Sequence, residues 1–332
     1  MPTAQSKMPF IFPFSIKGMA LSCDAMGTKW RQFLFLNVVT ERPVPTAALI
    51  VNARSRKGRR LFRDACQLLD DAGIRLSMTR AVRDPAIFAD HVREAVESGV
   101  PMVIIGGGDG SISCAVDHFV GHDTTFGLLP LGTANSFART LGVPLDLVGA
   151  IGVIKSGRTS RIDLGMINGD YFANCATIGI APQIAETVPH GLKSWLGRPG
   201  YLLWAAHQLA RFKPFRLTIG EGKRAESFYA VEVRIANGPY HGGIELIDGA
   251  EVDSGLIVVQ AVTGETRRHL IWNWTLSLIR HGARERTVRE FSGKAIAIAT
   301  DPPLPISIDG EVLARTPILA RIAPRAIRVA VP

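Results

Sequence analysis

The sequence predicts an N-terminal α/β domain with a parallel sheet over residues 45–162 and an all-β antiparallel sandwich over 163–332. The last strand of the sandwich is placed to return to the first domain. Three observations predict this arrangement. Up to about Ile162, short apolar runs alternate with segments of helical spacing, the pattern of βαβ units and a parallel sheet. After it, strand-like segments divided by glycine, proline and polar turns dominate, as in an antiparallel sandwich. A chain of 332 residues with 47% hydrophobic content can bury two such cores.

Residues 1–44 read as a weakly ordered extension, since Pro9, Pro13 and Lys17 interrupt its short apolar run. The first strand, 47–51, ends in the small, polar, basic loop 52–58. A helix over 60–72 follows from the spacing of Leu61, Ala65, Leu68 and Leu69 and stops at Gly73. A second strand covers 74–78, and a second helix covers 85–98 and closes at Gly99. A third strand ends at Val103, Ile104 and Ile105, a helix spans 112–119, and a fourth strand covers 126–129. The loops 52–58, 106–111 and 130–136 all leave carboxyl ends of strands, where ligands collect in such sheets. In the second half, strands are expected at 171–176, 215–219, 230–237, 255–261, 295–299, 306–308 and 327–331. Two longer segments interrupt them: 191–212 and 267–281, rich in tryptophan and arginine. They read as core helices with surface arginines, or as a helix lying at a bilayer surface.

Lys and Arg number 38 against 29 Asp and Glu, a formal charge of +9. A balance of this size suits nucleic acid, anionic lipid surfaces and phosphorylated substrates alike. Cys23, Cys66, Cys114 and Cys175 have neither metal-ligand nor disulfide spacing, which fits reduced thiols in a cytosolic protein. No run of 18 uncharged apolar residues argues for a membrane span.

The chemistry is concentrated at Gly106-Gly107-Gly108-Asp109-Gly110-Ser111-Ile112-Ser113. A strand that breaks into glycines and then a helix lets backbone N–H groups approach a phosphate, with the helix N-terminus adding positive potential. Asp109 would repel that phosphate unless a cation intervenes. Magnesium, held by one or two carboxylates plus substrate phosphates, resolves the conflict. The alternative is a glycine-rich turn capped by an aspartate. Three more motifs accompany it: 130–139 with Gly132-Thr133-Ala134-Asn135-Ser136, then 174–179, then Asp309-Gly310-Glu311 near the end. A phosphate loop, a cation at Lys57, a metal on Asp109 and a positioned carboxylate such as Glu311 would together meet the needs of phosphoryl transfer to an alcohol. Burial of Glu311 between two domains would raise its pKa and suit it to that task. Glu311 is otherwise a turn residue, because Asp-Gly is a strong hairpin signal.

In this order the motifs resemble the catalytic domain of the diacylglycerol kinase family, including bacterial lipid kinases and the related sphingosine and ceramide kinases. The resemblance covers roughly 46–332. It implies an ATP-dependent lipid kinase using magnesium, with a diacylglycerol-like or sphingoid-like hydroxyl as acceptor and Glu311 as general base. It further implies that Asn52, Lys57, Thr79 (the threonine after the second strand), Thr133 and 107–113 reach the nucleotide, and that Asp163 belongs to the site. The expected partner is a lipid at the membrane surface, met by a cytoplasmic protein with peripheral contact at the inner face of the membrane. No nucleic-acid partner is expected, and a homodimer is compatible.

Two departures stand out. Ser136 replaces a family aspartate, and Asp253-Ser254-Gly255-Leu256 replaces an Asp-Asp-Gly-Leu turn that holds a structural magnesium in some members. That leaves Ser254 as a weak metal ligand. Ala53 and Arg56 stand where the first loop of the family has proline and glycine. Two other readings stay open: an NAD-kinase-like phosphotransferase acting on a soluble substrate, and a lipid-binding protein weakened in catalysis.

Overall fold

The computed structural model describes residues 46–54, 56–187, 204, 207–222, 225–265 and 288–332. The extension 1–44, the segment 267–281 and most of 191–212 lie outside them. Among the described residues no helix is long and apolar enough to cross a membrane.

The α/β half begins with β1 (Thr46–Asn52), α1 (Arg56–Asp71), β2 (Arg75–Val82), α2 (Phe88–Glu97), β3 (Met102–Gly107), α3 (Asp109–Val116) and β4 (Thr125–Pro130). The short α4 (Ser136–Thr140) and α5 (Leu147–Ser156) complete it. The four strands are parallel in the order β2-β1-β3-β4. Every residue of β3 and β4 is buried, as continuous apolar runs in a two-sided sheet require. β2 is the edge strand, and its residues alternate between exposed and half-buried over much of its length.

The second half contains β5 (Thr159–Ile167), β6 (Asp170–Phe172), β7 (Cys175–Gly179), α6 (Ile180–Thr187), β8 (Phe215–Ile219) and β9 (Glu226–Ala236). Then come β10 (Tyr240–His241), β11 (Ile244–Glu245), β12 (Ile257–Thr263), β13 (Val288–Gly293), β14 (Ala295–Asp301), β15 (Pro305–Ile308), β16 (Glu311–Arg315) and β17 (Ile318–Ala330). Pairing from β16 through β15, β7, β9, β8 and β14 to β17 is antiparallel throughout. β17 joins the halves: it runs antiparallel to β14 and β5, then its end lies parallel to β4, with Arg328 opposite Thr125. Its Pro324 and Arg325 sit in a bulge between Ala323 and Ile327.

One core surrounds the parallel sheet, including Leu49, Ile104, Phe119 and Phe137, and a second fills the sandwich around Phe172, Phe215, Val233 and Ile306. A third, smaller cluster places Cys175, Ala236 and Val258 under Leu246, Ile247 and Ala250. It covers the outer face of β7, β9 and β12 with the 246–250 segment.

Several boundaries differ from the sequence expectation, each for a local reason. α1 starts at Arg56, so Lys57 belongs to its first turn rather than to a loop. β2 runs on to Val82, which puts Thr79 inside a strand, opposite Leu49, instead of after it. The polar end of β2 looks like loop in sequence because an edge strand has only one covered side. The strand expected at 171–176 is two strands, since the Asp309 carboxylate accepts the N–H groups of Ala173 and Cys175 and interrupts the ladder there.

Candidate active site

The carboxyl ends of β1, β3 and β4 lie level, with Val51 opposite Gly106 and Gly107 opposite Pro130. At this edge the loop after β3 and the loop after β4 are locked together. Leu131 donates its N–H to Gly107 O at 2.9 Å, and a Cβ on Gly132 would lie 2.4 Å from the Gly108 Cα. A Cβ on Gly107 would lie 2.4 Å from the Ser111 Cβ. The glycines at 108 and 132 are therefore demanded by backbone packing inside the chain, and that at 107 by the Ser111 side chain. Gly110 differs: a Cβ there meets nothing within 4 Å, and the residue is exposed.

Gly106 pairs within the sheet with Val51 and Leu129, so it shapes the strand end rather than offering an amide to a ligand. Gly108 caps α3, and the helix starts at Asp109, three residues earlier than its apolar spacing suggested. The N–H groups of Ser111 and Ile112 return to Gly108 O at 2.9 and 3.2 Å. The Ile112 side chain is buried in the core, so neither its side chain nor its amide is available to a nucleotide, contrary to the sequence expectation. Asp109 and Gly110 supply the first-turn amides that helix geometry leaves unpaired.

Asn52 closes β1, and its Nδ2 donates to the Ser111 Oγ at 3.0 Å. Its Oδ1 accepts the Arg54 N–H at 3.3 Å. Ala53 is fully buried and gives its N–H to Val82 O at 2.7 Å, a bond that a proline at this position could not make. The Lys57 side chain lies outside the described residues. Thr133 is exposed on the β4 loop and Ser113 half-buried on α3. Asn135, which sequence reasoning gave no separate role, holds that loop: it adopts φ 49°, accepts the Gly132 N–H at 2.9 Å and donates to Gly132 O at 3.2 Å. Ser136, in place of the family carboxylate, accepts the Gly243 N–H on its Oγ at 3.1 Å and so fastens the β10–β11 hairpin over α4.

Asp109 is half-buried and accepts the Phe137 N–H at 3.4 Å. Among the described residues no cation pairs with it. Asp309 and Gly310, at φ 45° and 103°, form the two-residue turn between β15 and β16, with Ile308 opposite Glu311. The Asp309 oxygens accept the Ala173 and Cys175 N–H groups at 3.0 and 3.1 Å. Burial pushes the Asp309 carboxyl up to about 6 against those backbone hydrogen bonds, and the Asp109 charge adds to the rise. Burial also raises the Cys114 thiol on α3, with the Glu311 charge as its second cause. The Asp109 charge thus reaches the β15–β16 turn from the start of α3, and the Glu311 charge reaches Cys114 on the same helix. Glu311 itself is exposed, which corrects the expectation of a buried base.

The neighbouring wall is charged. Arg234 is buried on β9, bonded to the Glu232 Oε2 at 2.8 Å and the Gln260 Oε1 at 2.9 Å. His241, on the hairpin above, is held below its usual pKa chiefly by burial, with Glu232 and Asp109 opposing and Arg234 reinforcing the shift. None of these residues carried a readable motif in the sequence.

Asp163 lies on β5, 2% exposed, and both of its oxygens are taken by backbone: Gly255 N–H and Arg325 N–H, each at 2.7 Å. Asn237 Nδ2 bridges Asp163 O and Ala173 O at 2.9 and 3.0 Å. Asp163 is thus an anchor joining three segments. Ser254 uses its hydroxyl within its own turn, donating to Glu251 O at 2.9 Å and accepting the Leu256 N–H at 3.3 Å. Among the described residues no cluster of three acidic, histidine or cysteine side chains could hold a metal alone. The residues around Ser254 do not fit a structural ion. Asp109 fits a magnesium whose remaining ligands are nucleotide phosphates and water.

The model of the diacylglycerol kinase catalytic domain matches residues 46–167, and that of the YegS C-terminal NAD kinase beta sandwich-like domain matches 176–331. A probable lipid kinase YegS-like of Klebsiella pneumoniae (strain 342) is 31% identical over 296 residues, 87% of this chain and 96% of that one. A probable lipid kinase YegS of Escherichia fergusonii is 29% identical over 299 residues, 87% and 97% of the two chains. The crystal structure of a putative diacylglycerol kinase from Bacillus anthracis str. Sterne superposes with a TM-score of 0.71 at 21% identity, over 90% of this chain and 98% of that one, a likeness of fold. The chain belongs to the diacylglycerol kinase catalytic-domain family, in the two-domain form of the YegS proteins.

Proposed function

We propose that this chain transfers the γ-phosphate of ATP to the hydroxyl of a lipid, with Glu311 as general base. The observation that carries this reading is the interlocked pair of loops after β3 and β4, which sets Asp109 and the start of α3 at the carboxyl edge of the sheet, with the Asp309-Gly310-Glu311 turn within electrostatic range of that helix. The first-turn amides at Asp109 and Gly110 receive the phosphates, and Asn52 fixes the Ser111 hydroxyl beside them. Magnesium, when bound to Asp109, neutralises charge on the transferring group. The Glu311 carboxylate takes the proton from the lipid hydroxyl as its oxygen bonds to the γ-phosphorus and the bond to ADP breaks. Such a base contributes about 10²–10⁴-fold. The exposed position of Glu311 suits an acceptor presented from a membrane surface, where the enzyme would act peripherally.

Labelled ATP offered with diacylglycerol, monoacylglycerol, sphingoid bases, ceramide and phosphatidylglycerol, beside NAD, tests the reading. Label in one of the lipids is expected. Label in NAD alone would replace the lipid acceptor with a soluble one. Absence of turnover with every acceptor would leave a binding protein on a kinase fold.

A further inference from the structure

A second built site lies at the opposite end of the parallel sheet from the phosphate loops. The segment before Thr125, where β4 begins, and the bulge of β17 enclose a pocket of about 470 Å³ lined by His122, Asp123, Arg161, Pro324 and Arg325 among others. Its single carboxylate is shared by two guanidiniums. Arg161 donates from Nη2 to the Asp123 Oδ1 at 2.6 Å, and Arg328 from Nη2 to the same oxygen at 3.2 Å. Arg161 also reaches Arg325 O at 3.4 Å, and Arg328 reaches Asp123 O at 3.2 Å. The third arginine, Arg325, is exposed and has no carboxylate partner among the described residues. Arg161 and Arg325 line the pocket with Asp123 as its single carboxylate, and that carboxylate is already shared with Arg328 beside the pocket, which leaves a surplus of positive charge.

The backbone holds that arginine in place at a cost. Arg325 has φ 51°, a left-handed conformation unusual for a residue other than glycine, and it is pinned there by its N–H bond to the Asp163 Oδ1 at 2.7 Å. A bulge is a device for re-aiming a side chain, and here it brings an unpaired guanidinium to the rim of the pocket.

We propose that this pocket binds a phosphate group, presented either as a free phosphate or within the headgroup of an anionic phospholipid. Guanidiniums match phosphate oxygens with paired N–H donors, and the cavity has room for a phosphate and the ester carbons attached to it.

The test uses the full chain with its nucleotide site filled by ADP, at constant ionic strength. Inorganic phosphate is titrated by calorimetry, and co-sedimentation is measured with vesicles of phosphatidylglycerol or of phosphatidylcholine. Arg325→Asn removes the charge while asparagine accepts the left-handed backbone; Arg161→Gln is the second variant should the first fail to fold. Saturable phosphate binding, weakened about tenfold or more in the folded variant, marks a small-anion site. Binding to phosphatidylglycerol vesicles alone, weakened to the same degree, marks a headgroup site. Arg325→Lys, which keeps the charge without the planar fork, should fall between. The proposal is overturned if the wild type binds neither probe, or if the folded variant binds both as well as the wild type does.

Discussion

Gly132 and Gly108 meet backbone to backbone: a Cβ on Gly132 would stand 2.4 Å from the Gly108 Cα. The two phosphate-side loops are thus one packed unit, and the glycines that look like ligand contacts in sequence divide into two kinds. Gly107, Gly108 and Gly132 make room for the chain itself; Gly110 faces open space.

This division can be tested. Gly132→Ala should lower the Tm by several degrees, the scale of overpacking at about 1–3 kcal/mol, and weaken ATP together with it. Gly110→Ala should leave the Tm unchanged or slightly raised, since alanine favours the first turn of α3. If phosphates come to that turn, its KM for ATP rises nonetheless. Thermal melts beside steady-state kinetics separate the two effects.

Asp309 makes stability depend on pH. Its folded pKa is raised to about 6, so the folded state holds the proton more tightly than the unfolded chain does. The corresponding stability is fully present below the unfolded aspartate value near 4, and it is lost as pH rises to about 6. Asp309→Asn, which cannot ionise, should remove this contribution. Its stability relative to wild type should improve between pH 4 and pH 6 by on the order of 2–3 kcal/mol, read from denaturant midpoints across that range.

Asp163 is predicted to matter through position. Asp163→Asn keeps one acceptor oxygen for the two N–H groups of Gly255 and Arg325, which should cost about 1–3 kcal/mol. Hydrogen exchange should quicken first at Gly255 and Arg325, and the KM for ATP should change little if the residue only anchors. A large rise in that KM at unchanged exchange would give Asp163 a direct part in nucleotide binding.

Much of this fold can be read from the sequence, and the failures share a cause. Val103, Ile104 and Ile105, like the apolar core of β4, mark strands buried on both faces, which need no neighbour to identify them. Thr79, exposed on the edge strand, and residues 318–323 at the front of β17 are strand only because a partner pairs with them. The interruption at Ala173 depends on a carboxylate 136 residues away, at Asp309. Within the site, the glycine loop, Asp109, Asn52 and Glu311 were legible because their spacing is itself the motif. Arg234, His241 and Asn237 were not, since each acts through a contact between distant strands or hairpins.

The joint service of Asp109 and Glu311 in one transfer is the claim on which the functional account rests. The most direct measurement is kcat for labelled phosphate transfer to the preferred lipid by Asp109→Asn, Glu311→Gln and the double variant. Each single change should lower kcat by about 10²-fold or more in a folded protein. The double variant should fall little below the worse single one, as groups acting in one step do. A Glu311→Gln enzyme with near-normal turnover, or losses that multiply in the double variant, would contradict it.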